Sequence, residues 1–549
     1  MRKNTNHGRG EAGGLPSGWA RVALEDLLLR VVGGGTPARN VPQYFDGDIP
    51  WFTVKDMKSL RPLDAEEHIT QEAIDGSATN LIPAGTLIVA TRIALGRAMR
   101  PKVTCAINQD LKALFFGQGV CPDFMLYWVA AHERFIQELG SGTTVSGIRL
   151  ETLNGLVVDL PPAAEQTRIV AKLEALLTDL DAGVAELKAA QKKLVRYRQS
   201  LLKAAVEGAL TAAWRAARSA PLSPRGRGAG GEGAAQGPHP LPNPSPVKGE
   251  GLECETGAQL LARILTERRA RWEDRQRAKF AAQGKTPPKG WQVKYPEPAP
   301  PDTTGLPELP QGWVWASVEQ LTEFITSGSR GWADYYADAG AMFIRSQNIN
   351  KDWLDLSDVV RVNPPKGSEG ARTRVQKDDV LLTITGANVG KAAQVEAAID
   401  EAYVSQHVAL IRPVDVAVSK VLHLFFTAEA GGRGQLNKEA YGAGKPGLNL
   451  QQVAGVCVPL ASAAEFETLI NIVKTQLDAA TAKEVAIELA LKQSTAQRQN
   501  LLRAAFAGEL VPQDPADEPA SSLLARIRAE RAAQGVASKP RGRKVKGVA

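Results

Sequence analysis

Cysteine and paired histidines are scarce in this 549-residue sequence, and each shortage excludes a class of site. The four cysteines form no CxxC pair, so neither a disulfide framework nor a zinc site is predicted, and a reducing cytoplasm fits their use. The six histidines form no HxH or HxxxH pair, which argues against metal ligation. These residues are Cys105, Cys121, Cys254 and Cys457, with His7, His68, His132, His239, His407 and His423.

Long apolar runs are also absent. No run approaches the roughly 18 apolar residues of a membrane span, and the first thirty residues lack the apolar core of a secretory signal. We therefore expect a cytoplasmic protein without a membrane partner. With 44% hydrophobic and 23% charged residues the composition is globular, and the length predicts about three or four folded units. The net charge of +7 is compatible with an acidic partner such as nucleic acid.

What the sequence does contain is a repeat. The segment QSLLKAAVEGALT at 199–211 returns as QNLLRAAFAGELV at 499–511, which is 300 positions later. The openings Leu15-Pro-Ser-Gly-Trp19 and Leu309-Pro-Gln-Gly-Trp313 are 294 positions apart. Short strands are predicted at matching places, at 49–54 and 86–90 in the first copy and at 342–345 and 380–385 in the second. The chain is therefore an internal duplication.

A heptad pattern of leucine and valine runs through residues 165–211. It predicts a long helix that packs lengthwise on another helix. The second copy has a weaker pattern, with Ala480 and Ser494 at leucine positions, and gains support from the repeat. The residues assigned to helix packing are Val170, Leu173, Leu177, Leu180, Val184, Leu187, Leu194 and Leu201 in the first copy, and Ile470, Val473, Leu477, Ile487, Leu491 and Leu501 in the second.

The expected order is domain, helix, domain, helix, with a linker in the middle. The segment at 221–250 is rich in Pro and Gly and cannot bury a core. The expected segments are a disordered N-terminus (1–14), a first globular domain (15–164), a central helix (165–212), a flexible linker (213–255), a basic helix with a Pro-rich connector (256–308), a second globular domain (309–463), a distal helix (464–512) and a C-terminal segment with a basic tail (513–549).

Two of these segments are basic. The helix at 256–283 carries six arginines, and the tail at 539–546 carries five basic residues without an acid. For the helix we favour a solvated charged surface, with contact to DNA or another partner as the alternative. For the tail we favour a solvated, disordered end, with nonspecific phosphate affinity as the alternative.

Three strings resemble known motifs but lack a required residue. The string Asn363-Pro-Pro-Lys366 begins like the loop of amino-methyltransferases, but a lysine cannot stack on an extruded base. Residues 386–392, GANVGKA, are one residue short of a phosphate-binding loop and end in alanine where a metal-binding Ser or Thr belongs. In the string at 442–445, GAGK, the following Pro446 removes an N–H that a phosphate cradle would need. We therefore predict binding rather than catalysis.

Two similar domains indicate bivalent recognition. If the ligand is duplex DNA, Arg, Lys, Asn and Gln side chains should contact base edges and phosphates near the turns after matched strands. The candidates are Lys55, Lys58, Arg92, Arg97, Arg100 and Lys102 in the first domain, and Arg330, Arg345, Gln347, Asn348, Asn350 and Lys391 in the second.

Besides the Leu-Pro-x-Gly-Trp openings, the first copy contains GGGTP at 33–37 followed by YFDGDIPW at 44–51, SGTT at 141–144, and LPPAAEQTRIV at 160–170. Taken together, these motifs resemble the specificity subunits of type I restriction-modification enzymes. The resemblance implies a mixed α/β fold: two target recognition domains separated by two long antiparallel coiled-coil helices, related by a pseudo-two-fold duplication.

The same resemblance implies a non-catalytic subunit that binds double-stranded DNA. It implies two modification subunits that methylate adenine with S-adenosylmethionine and restriction subunits that use ATP and magnesium, so no cofactor is expected in this chain. Two alternatives stay open: a coiled-coil adaptor that assembles proteins without binding DNA, and a recognition subunit of another restriction type.

Overall fold

A computed structural model of the chain describes residues 14–141, 147–219, 255–365, 372–440 and 446–535. The linker predicted at 221–250, the basic tail at 539–546, the string at 442–445 and Lys366 lie outside the described residues. The chain forms two compact units: unit 1 comprises Met1–Ala189 and Ile487–Ala549, and unit 2 comprises Ala190–Ala486. Every helix in the described ranges is too short or too polar to traverse a bilayer.

The first part of the chain contains ten strands and six α-helices in the described residues. The strands are β1 (Ala20–Ala23), β2 (Leu28–Gly33), β3 (Ile49–Phe52), β4 (His68–Ile69), β5 (Leu81–Ile82), β6 (Leu87–Ala90), β7 (Ala98–Met99), β8 (Cys105–Ile107), β9 (Leu111–Phe116) and β10 (Val157–Leu160). The helices are α1 (Leu24–Leu27), α2 (Gln71–Asp75), α3 (Pro122–Ala131), α4 (Glu133–Glu138), α5 (Leu150–Asn154) and α6 (Ala163–Val206).

The second part repeats this series after two connecting helices. The strands are β11 (Val314–Ser317), β12 (Thr322–Ser327), β13 (Tyr336–Ala337), β14 (Ala341–Ile344), β15 (Ile349–Asn350), β16 (Trp353–Leu354), β17 (Val360–Val362), β18 (Val380–Thr383), β19 (Ala392–Gln394), β20 (Ala402–Val404), β21 (Val408–Pro413) and β22 (Cys457–Leu460). The helices are α7 (Ala212–Ser219), α8 (Gly257–Ala282), α9 (Val318–Leu321), α10 (Val416–Thr427), α11 (Gly432–Glu439), α12 (Leu450–Ala454), α13 (Ala463–Phe506) and α14 (Ala520–Ala533).

Each unit contains two four-stranded sheets: an antiparallel sheet with longer strands, which we call the larger sheet, and a mixed sheet with shorter strands, which we call the smaller sheet. In unit 1 the larger sheet has the order β2-β9-β6-β7, and in unit 2 the order is β12-β21-β18-β19. The smaller sheets are β4-β3-β8-β5 and β13-β17-β14-β20. In both smaller sheets one pair is parallel, β3 with β8 and β14 with β20. The strands predicted near residues 49, 86, 342 and 380 are present as β3, β6, β14 and β18.

A close approach of two backbone segments fixes the end of β2 and of β12. A Cβ on Gly34 would lie 1.9 Å from the carbonyl oxygen of Ile107, and one on Gly328 would lie 2.0 Å from that of Val404. Since no side chain fits in that space, only glycine permits the contact. The glycine-rich string at 33–37 is therefore a site of backbone packing as well as the predicted turn.

A two-stranded ladder joins the beginning and the end of each α/β domain. Ala20 of β1 lies opposite Leu160 of β10, and Val314 of β11 lies opposite Leu460 of β22. The long helices α6 and α13 begin three residues after these ladders. The ladder therefore places the start of each domain beside the first turn of its long helix.

The sequence LLARI occurs in both α8 and α14, and its buried residues attach each of these helices to its unit. In unit 2, Leu260 and Ile264 of α8 are fully buried, and the Gly257 N–H donates to the Gly312 carbonyl at 2.8 Å. In unit 1 the same sequence in α14 is buried in the same way, and the Ala520 N–H donates to the Gly18 carbonyl at 2.9 Å. Burial of each such leucine stabilises the packing by about 2 kcal/mol. The repeat thus reflects a packing role shared by α8 and α14.

Within each unit the long helices run antiparallel. In unit 1, Arg498 of α13 forms an ion pair with Asp181 of α6. In unit 2, Arg198 lies 2.9 Å from Glu484. The packing residues named from the heptads are all buried or half-buried. The predicted fold class, a mixed α/β chain with two domains and two long antiparallel helices, is confirmed.

Candidate nucleic-acid interface

In unit 1, a 3-10 helix at Val54–Asp56 follows β3 and exposes Lys55. The Thr53 N–H and hydroxyl donate to the Asp56 carboxylate at 2.7 and 2.9 Å, and the Lys55 N–H donates to Thr53 Oγ1 at 3.2 Å. These bonds fix the turn and leave the ammonium group outside. Lys58 is exposed as well and lies 2.6 Å from Glu66, which raises the pKa of its ammonium group.

The hairpin between β6 and β7 carries two further cations of unit 1. Arg92 is exposed and lies 3.2 Å from Asp110, whereas Arg97 is exposed and lies 3.8 Å from Glu133. The segment that precedes α5 contacts the start of this hairpin, because the Ile148 N–H donates to the Thr91 carbonyl at 2.9 Å.

Hydrogen bonds through Asn108 and Asp110 connect the 3-10 turn after β3 with the hairpin between β6 and β7. The Asn108 N–H donates to the Phe52 carbonyl at 3.0 Å, and the Thr91 N–H donates to the Asp110 carbonyl at 2.8 Å. The Asn108 amide also donates to the Asp110 carboxylate at 3.0 Å. We call the surface formed by Lys55, Lys58, Arg92 and Arg97 face 1.

The other two candidates of the first domain differ in their surroundings. Arg100 is half-buried and donates to the Asp123 carboxylate at 2.5 Å and to the Gly85 carbonyl at 2.6 Å. Its guanidinium group therefore anchors the N-terminus of α3. Lys102 is exposed, and its backbone N–H donates to the Pro62 carbonyl at 3.1 Å.

In unit 2, a 3-10 helix at Ser346–Asn348 follows β14 and exposes Gln347. Asn348 itself is only 3% exposed. Its side-chain oxygen accepts from the Arg345 N–H at 2.9 Å, and its side-chain NH₂ group donates to the Asp355 carbonyl at 3.0 Å. Asn348 therefore holds the turn, as Asp56 does in unit 1. Arg345 is half-buried beside it.

The hairpin between β18 and β19 contacts this turn directly. The Asn388 amide donates to the Ser346 carbonyl at 3.2 Å, and the Lys391 ammonium donates to the Asn350 amide oxygen at 3.3 Å. We call the surface formed by Gln347, Asn350 and Lys391 face 2. Arg330 is exposed on the connection that follows β12, outside these contacts. The string GANVGKA leads into a strand rather than a helix, so it lacks the helix N-terminus of a phosphate-binding loop.

A comparison with models of protein families finds a match for the first of these two domains. Residues 16–189 match the model of the type I restriction modification DNA specificity domain. The resemblance to type I specificity subunits is confirmed.

Curated relatives of this specificity domain cover different lengths of the chain. The specificity subunit of the type I restriction enzyme MjaIX from Methanocaldococcus jannaschii is 25% identical over 178 residues, which are 32% of this chain and 41% of the relative. The EcoBI specificity subunit from Escherichia coli is 25% identical over 404 residues, which are 72% of this chain and 69% of the relative. The chain thus matches less than half the length of the first of these relatives.

A solved structure supports the same fold. A chain from a study of complex assembly and conformational transition of the type I R-M system superposes with a TM-score of 0.59. The match covers 91% of this chain and 100% of that chain at 15% identity. At this identity the likeness concerns the fold alone.

The anchor that holds face 2 was not predicted from the sequence. Lys351 and Asp352 connect β15 to β16, and both have positive φ, at 57° and 63°. The Asp352 carboxylate forms an ion pair with Arg433 and accepts from the Ala392 N–H at 3.2 Å. His423 Nε2 lies 2.9 Å from the Asp352 carbonyl oxygen, and burial lowers the pKa of its imidazole. The only advance signal was a two-residue connection that contains an aspartate.

The basic helix α8 differs from the solvated surface expected of it. Arg268 is buried and donates to the Thr322 carbonyl at 2.9 Å and to the Tyr295 hydroxyl at 2.6 Å. Arg271 is 3.4 Å from Glu323. The arginines thus attach α8 to the domain that follows it. No group of three or more metal-binding side chains occurs in the described parts of the chain.

Proposed function

We propose that this chain is the DNA-specificity subunit of a type I restriction-modification complex, and that each unit binds one half of an asymmetric, bipartite duplex site. The observation that carries the proposal is the repeated construction of the two faces. In each unit a 3-10 turn after a strand of the smaller sheet lies beside a hairpin of the larger sheet, and polar or basic side chains project from both.

The chemistry of the two faces supports two different half-sites. Face 1 offers Lys and Arg side chains, which bind phosphates and the acceptor atoms of guanine. Face 2 offers Gln347 and Asn350, whose amides can pair with adenine, together with one lysine. We therefore assign base contacts to different chemical groups in the two halves.

We assign part of face 1 to phosphate contacts that position the DNA rather than to base contacts that read its sequence. Lys58 and Arg92 each lie beside a carboxylate, which partly neutralises the positive charge that they present to a base. Each still has N–H donors free to bind a phosphate. Lys55 has the simplest environment of the four and is our first candidate for a direct contact. Arg100 and Asn348 are excluded from this role because they hold the domain together.

The long helices supply the remaining functions. We propose that they set the spacer between the half-sites and dock two modification subunits. Exposed aliphatic residues on these helices support a docking role, since Val195, Val485 and Leu489 are each more than half exposed. Adenine methylation with S-adenosylmethionine, and translocation and cleavage with ATP and magnesium, are assigned to the modification and restriction partners.

The proposal is tested with the full chain co-purified with its modification subunits. Selection from a randomised duplex pool should return a bipartite sequence, and footprinting should show protection of both halves. Binding should weaken steeply as salt rises, because phosphate contacts release counterions. As a control, K285A changes an exposed lysine outside both faces and should select the same site, whereas K55A should weaken the half-site bound by unit 1.

A complex that assembles but selects no sequence would contradict the proposal. That outcome would favour the alternative of a coiled-coil adaptor. Selection of a single continuous site would contradict the bipartite arrangement instead.

A further inference from the structure

Strained backbone is concentrated at the two faces. Among the described residues, the non-glycine residues with positive φ are Ile93, Lys351, Asp352 and Asp378. The first lies in the hairpin of face 1, and the next two lie in the connection beside face 2. Left-handed backbone is unfavourable for such residues and persists where the surrounding structure enforces it, which is common at binding sites.

Ile93 is the most unusual of these residues. It is β-branched, has φ of 69°, and is 62% exposed between Arg92 and Arg97. Its strain is therefore not offset by burial in a core. Unit 2 has glycine at the matching point: Arg92 pairs with Gly147 and Thr385 pairs with Gly447, and the residue after Thr385 is Gly386, with φ of 102°. Glycine would thus be the residue that the backbone favours.

Trp353 of unit 2 is also an exposed apolar residue beside left-handed backbone, although it lies in a different hairpin from the one that matches Ile93. It is 61% exposed, follows the left-handed pair Lys351 and Asp352, and lies opposite Asn350 in the β15–β16 ladder. The Asp352 contacts to Arg433 and Ala392 fix this hairpin. A large aromatic side chain is thus held in solvent, next to an amide of face 2.

We propose that Ile93 and Trp353 are specificity-determining residues that make apolar contacts with base edges, each in one half-site. The inference rests on the proposed function. Charge complementarity selects DNA as the occupant, because the cations of face 1 flank Ile93 and Lys391 lies at Asn350, the ladder partner of Trp353. The chemical group best matched to Ile93 is the 5-methyl group of thymine in the major groove, and Trp353 packs on a base or its methyl group.

The test uses the full chain co-purified with its modification subunits and a randomised duplex pool. I93G relieves the strain, so its melting temperature should equal or exceed that of the parent. Its preference for the parental base should fall about tenfold at one position of the half-site bound by unit 1. W353A should lose a similar preference in the other half only. Nonspecific affinity and its salt dependence should be unchanged in both variants, because no phosphate contact is removed.

Conservative and distant variants serve as controls. I93V and W353F keep an apolar side chain and should retain most of the preference. V157A and V293A remove exposed apolar residues outside the faces and should select the parental sequence. The inference is overturned if I93G and W353A select the parental sequence with parental preference at every position. A parent complex that selects no sequence would instead overturn the proposed function itself.

Discussion

The two units secure the first turn of their long helices with the same carboxylate but different partners. In unit 1, Glu165 is 1% exposed and accepts from the Trp19 indole at 3.0 Å and from the Gln513 amide at 3.4 Å. In unit 2, Glu465 is 3% exposed, accepts from the Thr211 hydroxyl at 2.6 Å and forms an ion pair with Arg215. Neutral donors thus serve in one unit where a cation serves in the other.

This difference shows that the duplication preserves geometry more strictly than chemistry. The buried carboxylate is retained 300 positions apart, while its donors come from different elements of each unit. The faces follow the same rule, because the turns and hairpins match while Lys55 in one corresponds to Gln347 in the other. A shared scaffold with interchangeable side chains is what the proposed binding of two unlike half-sites requires.

Shared backbone geometry should give the largest effect. Because a Cβ on Gly34 or Gly328 would overlap a backbone carbonyl, G34A and G328A should each destabilise the protein by about 3 kcal/mol or more, measured by urea unfolding. The control is G183A, since a Cβ there meets nothing within 4 Å in α6 and should stabilise the helix by about 1 kcal/mol. If G34A and G328A both unfold at the wild-type urea concentration, the two glycines do not share the packing role assigned to them.

Loss of the ion pair between Arg215 and Glu465 in unit 2 should give the second-largest effect on stability. R215M leaves the Glu465 carboxylate buried without its cation and should cost about 2 kcal/mol in chemical denaturation. R218M removes an exposed cation from the same helix and serves as the matched control. If the two variants lose the same stability, Arg215 does not perform the role assigned to it.

A smaller effect is expected in unit 1, and it depends on pH. Burial raises the pKa of Glu165 above its ordinary 4.5, so its contribution to stability is fully present below about pH 4.5 and is lost as the pH rises through the raised value. E165Q cannot titrate and should therefore lose less stability than the wild type between about pH 4 and about pH 7. Thermal unfolding across that range is the measurement, with the exposed E151Q as control. Parallel curves for E165Q and the wild type would contradict this account.

The sequence predicted the duplication, the strands β3, β6, β14 and β18, and the heptad seam, because periodicity and repeats are local signals. It could not separate Arg100 from Lys55, since the distinction depends on Asp123, which only the fold brings to Arg100. The same holds for Asn348, whose partners are backbone carbonyls. Each compact unit combines distant parts of the chain, so the burial of α14 in unit 1 was equally hidden.

The central claim is that each recognition domain binds one half of a bipartite site. The most direct test replaces residues 15–164 with the corresponding segment of a related specificity subunit and maps methylated adenines in cells that carry only this system. The account predicts a new sequence in one half, with the other half and the spacer unchanged. A change in both halves, or in neither, would contradict it.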